Sequence, residues 1–241
     1  MKHLYCLTLV LLLSLPLTAD TTAAKQTVTR EDMQQALKNF RQNPGQQAFH
    51  DALAILQQGA AGEDAPFALT LQAMLHHDAC KNLLQQAEQA AEKEPRIRFA
   101  VANMWLALGE YARAVELYGT LADGNPKWPC PLRHKAEALY RLERYSDALR
   151  AIQSCLAINQ EHLDAQYWAA KILFQLGKDT DALAAIDKAV AMLKKSGAKH
   201  HEDLENAEIY RLKGAILRHM GKEKEAETAF QQAEAVEREA R

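Results

Sequence analysis

Apolar residues between positions 33 and 56 recur at the spacing of helices, and turn residues separate two sets of them. The first set lies on one helical face and comprises Met33, Ala36, Leu37 and Phe40. Asn43-Pro44-Gly45 stops that helix, and Phe49, Leu53 and Leu56 share one face of a second helix. Residues 29–58 are therefore predicted to form a helical hairpin.

The segment that follows predicts a second hairpin before the regular part of the chain. Its two helices are expected at Pro66–Leu75 and Asp78–Glu94. At the start of the first hairpin, Thr29 can cap the helix and Asp32 can reach back in a capping box. Residues 25–94 are thus assigned to divergent N-terminal helical hairpins.

From Pro95 onward the pattern of small and large apolar residues repeats every 34 positions. The aligned small residues are Ala102, Ala136 and Ala170, then Ala114, Ala148 and Ala182. The aligned large residues are Trp105, Leu139 and Leu173, then Tyr118, Ile152 and Ile186. Small residues allow two helices to cross closely and large ones fill the space beside them, so each unit is predicted to be a helical hairpin that stacks on its copies. The repeats fall at about 95–128, 129–162, 163–196 and, after an insertion, 207–240.

The second half of the repeat resembles the tetratricopeptide-repeat pattern. The matching residues are Gly109, Tyr111, Ala114, Tyr118 and Pro126. The resemblance implies an all-α fold, a right-handed solenoid of stacked antiparallel helix hairpins. It also implies that the first helix of each hairpin lines a concave groove. The first half of the pattern is weaker, and the residues that would select a partner lie there.

The first 24 residues predict a signal peptide. Lys2 precedes an almost wholly apolar run from Leu4 to Leu17, and small residues follow. The run is shorter than the roughly 20 residues that a membrane-spanning helix needs, which favours cleavage over anchoring. A periodic helical-repeat protein with this leader is expected in the bacterial periplasm or outside the cell. An uncleaved N-terminal anchor is the alternative.

Composition and charge exclude several classes of protein. The formal net charge is −2, and 25% of residues are charged without a basic run, so neither nucleic-acid binding nor general membrane-surface binding is expected. No nucleophile motif, phosphate-binding loop or HExxH string occurs, so the chain is expected not to be an enzyme and to hold no cofactor.

Three cysteines remain beyond the leader. Cys130 lies near the start of the first helix of its repeat and Cys155 near the end of the second, so antiparallel packing brings them together. In an oxidising compartment they are a candidate disulfide, and the alternative is two small buried thiols. Cys80, 34 residues before Ala114, falls on a small-residue position.

Two histidine clusters are weak candidates for metal binding. His76, His77 and Cys80 lie at helical spacing. The second cluster is in the insertion and contains His200, His201, Glu202 and Asp203. A helix with one buried and one exposed histidine, and a solvated loop, are the favoured interpretations, so no metal site is assigned.

The family's geometry assigns the groove-facing residues. They are Arg96, Phe99, Asn103 and Leu106, then Arg133, Glu137, Tyr140 and Arg141, then Tyr167, Lys171, Phe174 and Gln175, and finally Arg211, Arg218 and His219. Arginine and aromatic side chains anchor extended peptides well, so the resemblance implies a partner with acidic or apolar character. Some grooves of this family bind the C-terminal carboxylate of a peptide through a lysine and an asparagine, with the lysine four residues before the asparagine. Here Phe99 precedes Asn103, which disfavours a chaperone-tail adaptor.

These features favour a protein-binding scaffold in the bacterial cell envelope that holds a partner protein or peptide in its groove during complex assembly. The alternative is a non-catalytic subunit of an envelope enzyme complex, such as cytochrome maturation or cell-wall machinery. Catalysis at the His76, His77 and Cys80 cluster is a third hypothesis. Self-association through the ends of the solenoid is also open.

Overall fold

The computed structural model describes residues 28–61, 64–196 and 203–239, and within these ranges it is all-α. The predicted signal peptide, residues 1–24, and the loop histidines His200 and His201 lie outside the described residues. The chain divides between Glu92 and Lys93 into two compact units. The helices of the first unit are α1 (Arg30–Gln42), α2 (Gln46–Ala60) and α3 (Ala65–Ala90). Those of the second are α4 (Pro95–Ala107), α5 (Tyr111–Gly124), α6 (Pro129–Arg141), α7 (Tyr145–Ile158), α8 (Leu163–Gln175), α9 (Asp179–Ser196), α10 (Asp203–His219) and α11 (Glu223–Glu239).

The N-terminal unit begins with the predicted capping box. The backbone N–H of Thr29 donates to Asp32 Oδ2 at 2.9 Å, and the backbone N–H of Asp32 donates to Thr29 Oγ1 at 3.2 Å. The apolar face of α1 then packs on α2, where Met33 and Leu56 are completely buried. This capping box satisfies two amides that the helix itself leaves without acceptors.

The predicted second hairpin is wrong, because α3 runs unbroken through Leu75–Asp78. His76 and His77, where a turn was expected, include no glycine or proline to stop a helix. His76 instead packs its ring against Phe49, with centroids 5.3 Å apart. The result is one helix of 26 residues with Leu69 and Leu83 more than half exposed.

The second unit consists of stacked helical hairpins, which confirms the predicted fold class. Successive helices pack on one another from α4 to α11. The small residues of the repeat lie where helices cross, and Ala114, Ala136 and Ala148 have no exposed surface. Burying each large apolar side chain beside them, such as Ile152, contributes about 1.5–3 kcal/mol. The repeat therefore supplies both the close crossings and the filling between them.

The turn within each hairpin uses the same backbone conformation at the same repeat position. Gly109, Gly177 and Gly221 have φ of 81°, 70° and 75°. The equivalent residue between α6 and α7 is Glu143, at φ 59°. A side chain in this left-handed region costs roughly 1–2 kcal/mol, so this turn is strained where the others are not.

Both helices of the last hairpin have 17 residues. Helix α10 begins at Asp203, so part of the predicted insertion loop is helical, and Asn206 within it is 2% exposed. Gly214 allows close packing with α11, because a Cβ there would lie 2.7 Å from the Phe230 ring. In the part of the chain that the structure describes, none of the helices combines the length and hydropathy needed to cross a bilayer.

Candidate partner-binding groove

The predicted groove face is built from the first helices of successive hairpins. Helix α4 contacts α6, α6 contacts α8, and α8 contacts α10. Side chains at equivalent positions of these helices therefore approach one another across repeat boundaries. The structure divides the predicted residues into a packed part, an ion-paired part and a more open cluster.

The α4 part of the face is filled by neighbouring aromatic rings. Phe99 lies 4.9 Å from Trp128, 5.1 Å from His134 and 5.8 Å from Tyr118, measured between ring centroids. Asn103 Oδ1 accepts a hydrogen bond of 2.6 Å from the hydroxyl of Tyr118, which is completely buried. Phe99 and Asn103 thus support packing between repeats.

Tyr118 is tightly held by this packing. Its ring stacks on that of His134 at 5.4 Å, with 24° between the planes. Burial raises the pKa of Tyr118, with the nearby Glu137 carboxylate adding to the effect. Arg96, one turn before Phe99, is exposed at the start of α4.

Helix α6 contributes an internal ion pair. Arg133 Nη1 lies 2.8 Å from Glu137 Oε2, and the two side chains are only 13% and 18% exposed. Arg133 also contacts the ring of His134. The charges of Arg133 and Glu137 therefore neutralise each other, and neither of these predicted groove residues presents a free charge.

The open cluster is centred on Lys171 and is formed by Tyr140 from α6 with Tyr167, Trp168 and Lys171 from α8. The Lys171 ammonium lies 5.0 Å from the Trp168 ring, 5.4 Å from Tyr140 and 5.6 Å from Tyr167. The rings meet edge to face, with Tyr140 and Trp168 centroids 5.6 Å apart. We call these four residues the Lys171 cluster. Cations at such distances are attracted to the negative faces of aromatic rings.

Burial and neighbouring charges shape the electrostatics of the cluster. Burial lowers the pKa of Lys171, the cation of Arg141 lowers it further, and Glu208 and Glu137 act in the opposite direction. Burial, together with Glu208, raises the pKa of Tyr167 to about 12. The hydroxyl of Tyr140 hydrogen-bonds to Gln175. The side chains of α6, α8 and α10 therefore share one electrostatic environment.

The remaining predicted residues are held by the last hairpin. The Phe174 ring meets His219 at 5.5 Å, and His219 Nδ1 lies 2.7 Å from Asp179 Oδ2. Arg211 pairs with Glu208 at 3.1 Å and also with Glu237 of α11. Arg218 lies over the Phe230 ring at 4.5 Å and is directed toward α11. Arg211 and Arg218 thus connect the two helices of their own hairpin.

Sequence reasoning missed three participants, namely His134, Trp168 and Glu208. His134 and Trp168 lie 34 residues apart and each packs against rings at a repeat boundary. A search of the repeat for a shared ring-bearing position would have found both. Glu208 carries no comparable signal, because its repeat equivalents are Asp164, Cys130 and Arg96.

The predicted bridge between Cys130 and Cys155 is not formed, since both are free cysteines. Cys155 is completely buried, and its sulfur faces the backbone amide of Arg133. Burial raises the pKa of Cys155 to about 11, with Cys130 contributing. The antiparallel packing therefore does bring the two residues near each other, as neighbouring thiols.

The other candidate chemical groups do not converge on a site. His76 is half-buried against Phe49, which lowers its pKa, and His77 is exposed. Within residues 28–61, 64–196 and 203–239, His, Cys, Asp and Glu side chains form no group of three that could hold a metal. A surface cleft of about 550 Å³ lies elsewhere, beside His162 and Met192.

Comparison with known proteins agrees with this architecture. Residues 134–198 match the family model described as tetratricopeptide repeat. A TPR repeat-containing protein of Methanocaldococcus jannaschii is 31% identical over 125 residues, which are 52% of this chain and 20% of that protein. The present chain thus spans only a small part of that relative's length.

Solved structures share the fold at low sequence identity. The crystal structure of MamA superposes with a TM-score of 0.54 at 17% identity, covering 73% of this chain and 94% of that one. A TPR protein of Thermus thermophilus superposes with a TM-score of 0.53 at 20% identity, covering 68% and 85%. Together, the stacked hairpins and their repeated turns define a helical-repeat protein. Residues 134–198 are similar to the tetratricopeptide-repeat family, and the solved structures share the fold of the chain.

Proposed function

We propose that this protein is an exported, non-enzymatic scaffold that binds a partner protein or peptide on the face formed by α4, α6, α8 and α10. The tetratricopeptide fold suits protein-binding scaffolds, because stacked hairpins present an extended, preordered surface and lose little entropy on association. The N-terminal apolar run supports export to the bacterial periplasm.

The observation that carries the proposal is the Lys171 cluster. Three aromatic rings and one ammonium converge from two helices, and Tyr140, Tyr167 and Lys171 are only partly buried while Trp168 lies beneath them at 7% exposure. Aromatic residues that combine apolar area with polar groups are typical anchors of protein interfaces. The cluster also draws on two different repeats, so a partner that engages it would span a repeat boundary.

The experiment is affinity capture from an envelope fraction with the full chain. Arg141→Glu reverses a charge beside the cluster, and Lys188→Glu makes the same change at an exposed position of α9. We expect the wild type and Lys188→Glu to recover the same partner and Arg141→Glu to lose it. Equal recovery by both variants, or no partner at all with the wild type, would contradict the proposal.

Three further measurements address the location, the alternative function and self-association. Fractionation with mass spectrometry of the N-terminus is expected to find a processed chain in the periplasm, and an intact chain in the membrane would contradict cleavage. Recovery of an enzyme complex at constant stoichiometry would favour a permanent, non-catalytic subunit of envelope machinery over a transient scaffold. Light scattering on the pure chain tests for self-association.

A further inference from the structure

The Lys171 cluster contains a cation without a local carboxylate. Among the described residues, no Asp or Glu oxygen lies within 4.0 Å of the Lys171 ammonium. The two acids that influence its charge are already engaged, since Glu137 pairs with Arg133 and Glu208 pairs with Arg211. Lys171 is therefore half-buried without a direct ion pair among the described residues, and Glu208 and Glu137 act on its charge only from a longer distance.

Arg141 adds a second positive charge to the same place. It lies on α6 directly after Tyr140, it is exposed, and it acts on the Lys171 charge. Two nearby cations repel each other unless an anion lies between them. Among the described residues, Glu137 is paired with Arg133, and Glu208 and Glu237 share Arg211, so a carboxylate of a ligand is the anion that would fit between Lys171 and Arg141.

We propose that Lys171 and Arg141 bind a carboxylate of the partner, with the partly exposed rings of Tyr140 and Tyr167 packing against an apolar group beside that carboxylate. This inference rests on the proposed scaffold function and names the chemistry of its partner, an acidic segment with apolar neighbours. Lys171 provides the charge-assisted hydrogen bond, and Arg141 approaches from the solvent side.

A cationic partner fits the cluster less well. The centre of the three rings is already occupied by the ammonium of Lys171. A second cation would have to displace it and would then face Arg141. An incoming carboxylate needs no such displacement, because it approaches the exposed side of a charge that the rings already position.

The test is calorimetric binding of short synthetic peptides to the full chain. The first peptide alternates leucine and glutamate and is blocked at both ends, and the second replaces each glutamate by glutamine. A third glutamine peptide has a free C-terminus, so it separates a main-chain carboxylate from a side-chain carboxylate. A fourth alternates leucine and lysine and probes a cationic ligand.

We expect a carboxylate peptide to bind about tenfold or more tightly than the blocked glutamine peptide, the gain of a charge-assisted contact. Lys171→Met should remove this gain, and Lys171→Arg should keep most of it. Lys188→Met, which deletes the same charge on the outer face of α9, should leave binding unchanged. Raising the ionic strength should weaken the binding of the carboxylate peptide and leave the binding of the glutamine peptide unchanged.

Equal binding of the carboxylate and glutamine peptides, no effect of Lys171→Met, or tighter binding of the lysine peptide would each overturn the inference. Circular dichroism of each variant shows whether it is folded. A partner captured from the envelope by both wild type and Lys171→Met would refute the carboxylate site and leave the scaffold function standing. If the chain binds the carboxylate peptides more tightly but captures no partner from the envelope, the carboxylate site is supported and the scaffold function is refuted.

Discussion

Two neighbouring parts of the same predicted face have different roles. In the α4 part, Phe99 and Asn103 are engaged by the ring and hydroxyl of buried Tyr118. In the α6–α8 part, Tyr167 and Lys171 occupy the repeat positions of Phe99 and Asn103 but remain partly exposed. The repeat position alone therefore does not decide whether a side chain is available to a partner.

The difference originates in the residues that surround each part. Behind Phe99 stand Tyr118, Trp128 and His134, whose rings are large enough to reach across the repeat boundary. At the position of Tyr118, the next repeats carry Ile152 and Ile186, which have no hydroxyl and no ring. Without that reach, the rings of Tyr140 and Tyr167 stay partly exposed beside Lys171.

The largest expected effect is a difference in the free energy of unfolding lost by an alanine substitution in each of the two parts. Tyr118→Ala should lower the free energy of unfolding by about 4 kcal/mol, because it empties a fully buried aromatic site. Tyr140→Ala should cost about half as much, since its ring is partly in contact with water. Denaturant unfolding followed by circular dichroism measures both. Equal losses would show that the two parts are packed alike.

The second effect concerns the hydrogen bond of the packed part. Asn103→Ala should destabilise the protein by about 1–3 kcal/mol, because the buried Tyr118 hydroxyl loses its acceptor. Gln175→Ala is the matched change in the open part, where water can replace the contact with Tyr140, and should cost less than about 0.5 kcal/mol. A loss at Gln175 as large as that at Asn103 would contradict the distinction.

The third effect tests backbone strain in the turn that follows α6. Glu143→Gly should stabilise the protein by about 1 kcal/mol, because glycine adopts the left-handed conformation without steric cost. The reverse change, Gly177→Glu, places the same strain in the equivalent turn after α8 and should destabilise by a similar amount. Unchanged midpoints for both variants would mean that the turns are not strained.

The smallest effect is at Lys171 itself. Lys171→Met should change stability at pH 7 by less than about 0.5 kcal/mol, because the half-exposed charge is screened. Since folding lowers the pKa of Lys171, the unfolded chain binds more protons between the two pKa values, and wild-type stability gains from this group as pH rises toward about 10.4. Any benefit of the variant at pH 7 should therefore vanish at higher pH. A large loss at pH 7 would make Lys171 structural.

The repeated spacing was sufficient to predict the hairpin architecture, because each helix crossing needs a small residue and each gap a large one. The same spacing predicts a turn at Leu75–Asp78, but the residues there favour a continuous helix and the turn is not formed. Local propensity overruled the repeat there. The cysteine pair was placed correctly side by side, while the covalent bond was not formed.

The composition of the face was predictable, and the division within it was not. Helical register is enough to place Tyr140, Tyr167 and Lys171 together. The filling of the α4 part depends on Tyr118 and Trp128, which lie outside the first helices and approach from α5 and the following turn. Such contacts join residues whose separation in sequence carries no periodic signal.

The prolines that start the repeat helices have a consequence for refolding. Helices α4 and α6 begin at Pro95 and Pro129, Pro131 lies in the first turn of α6, and the described peptide bonds are trans. In an unfolded chain about 10–30% of bonds before each proline are cis, and they revert over tens to hundreds of seconds. Helix α6 carries two of these prolines together with Tyr140 and Arg141, so the proposed binding surface includes a helix whose refolding is slowed by both isomerisations. A prolyl isomerase would shorten that wait without changing the final structure.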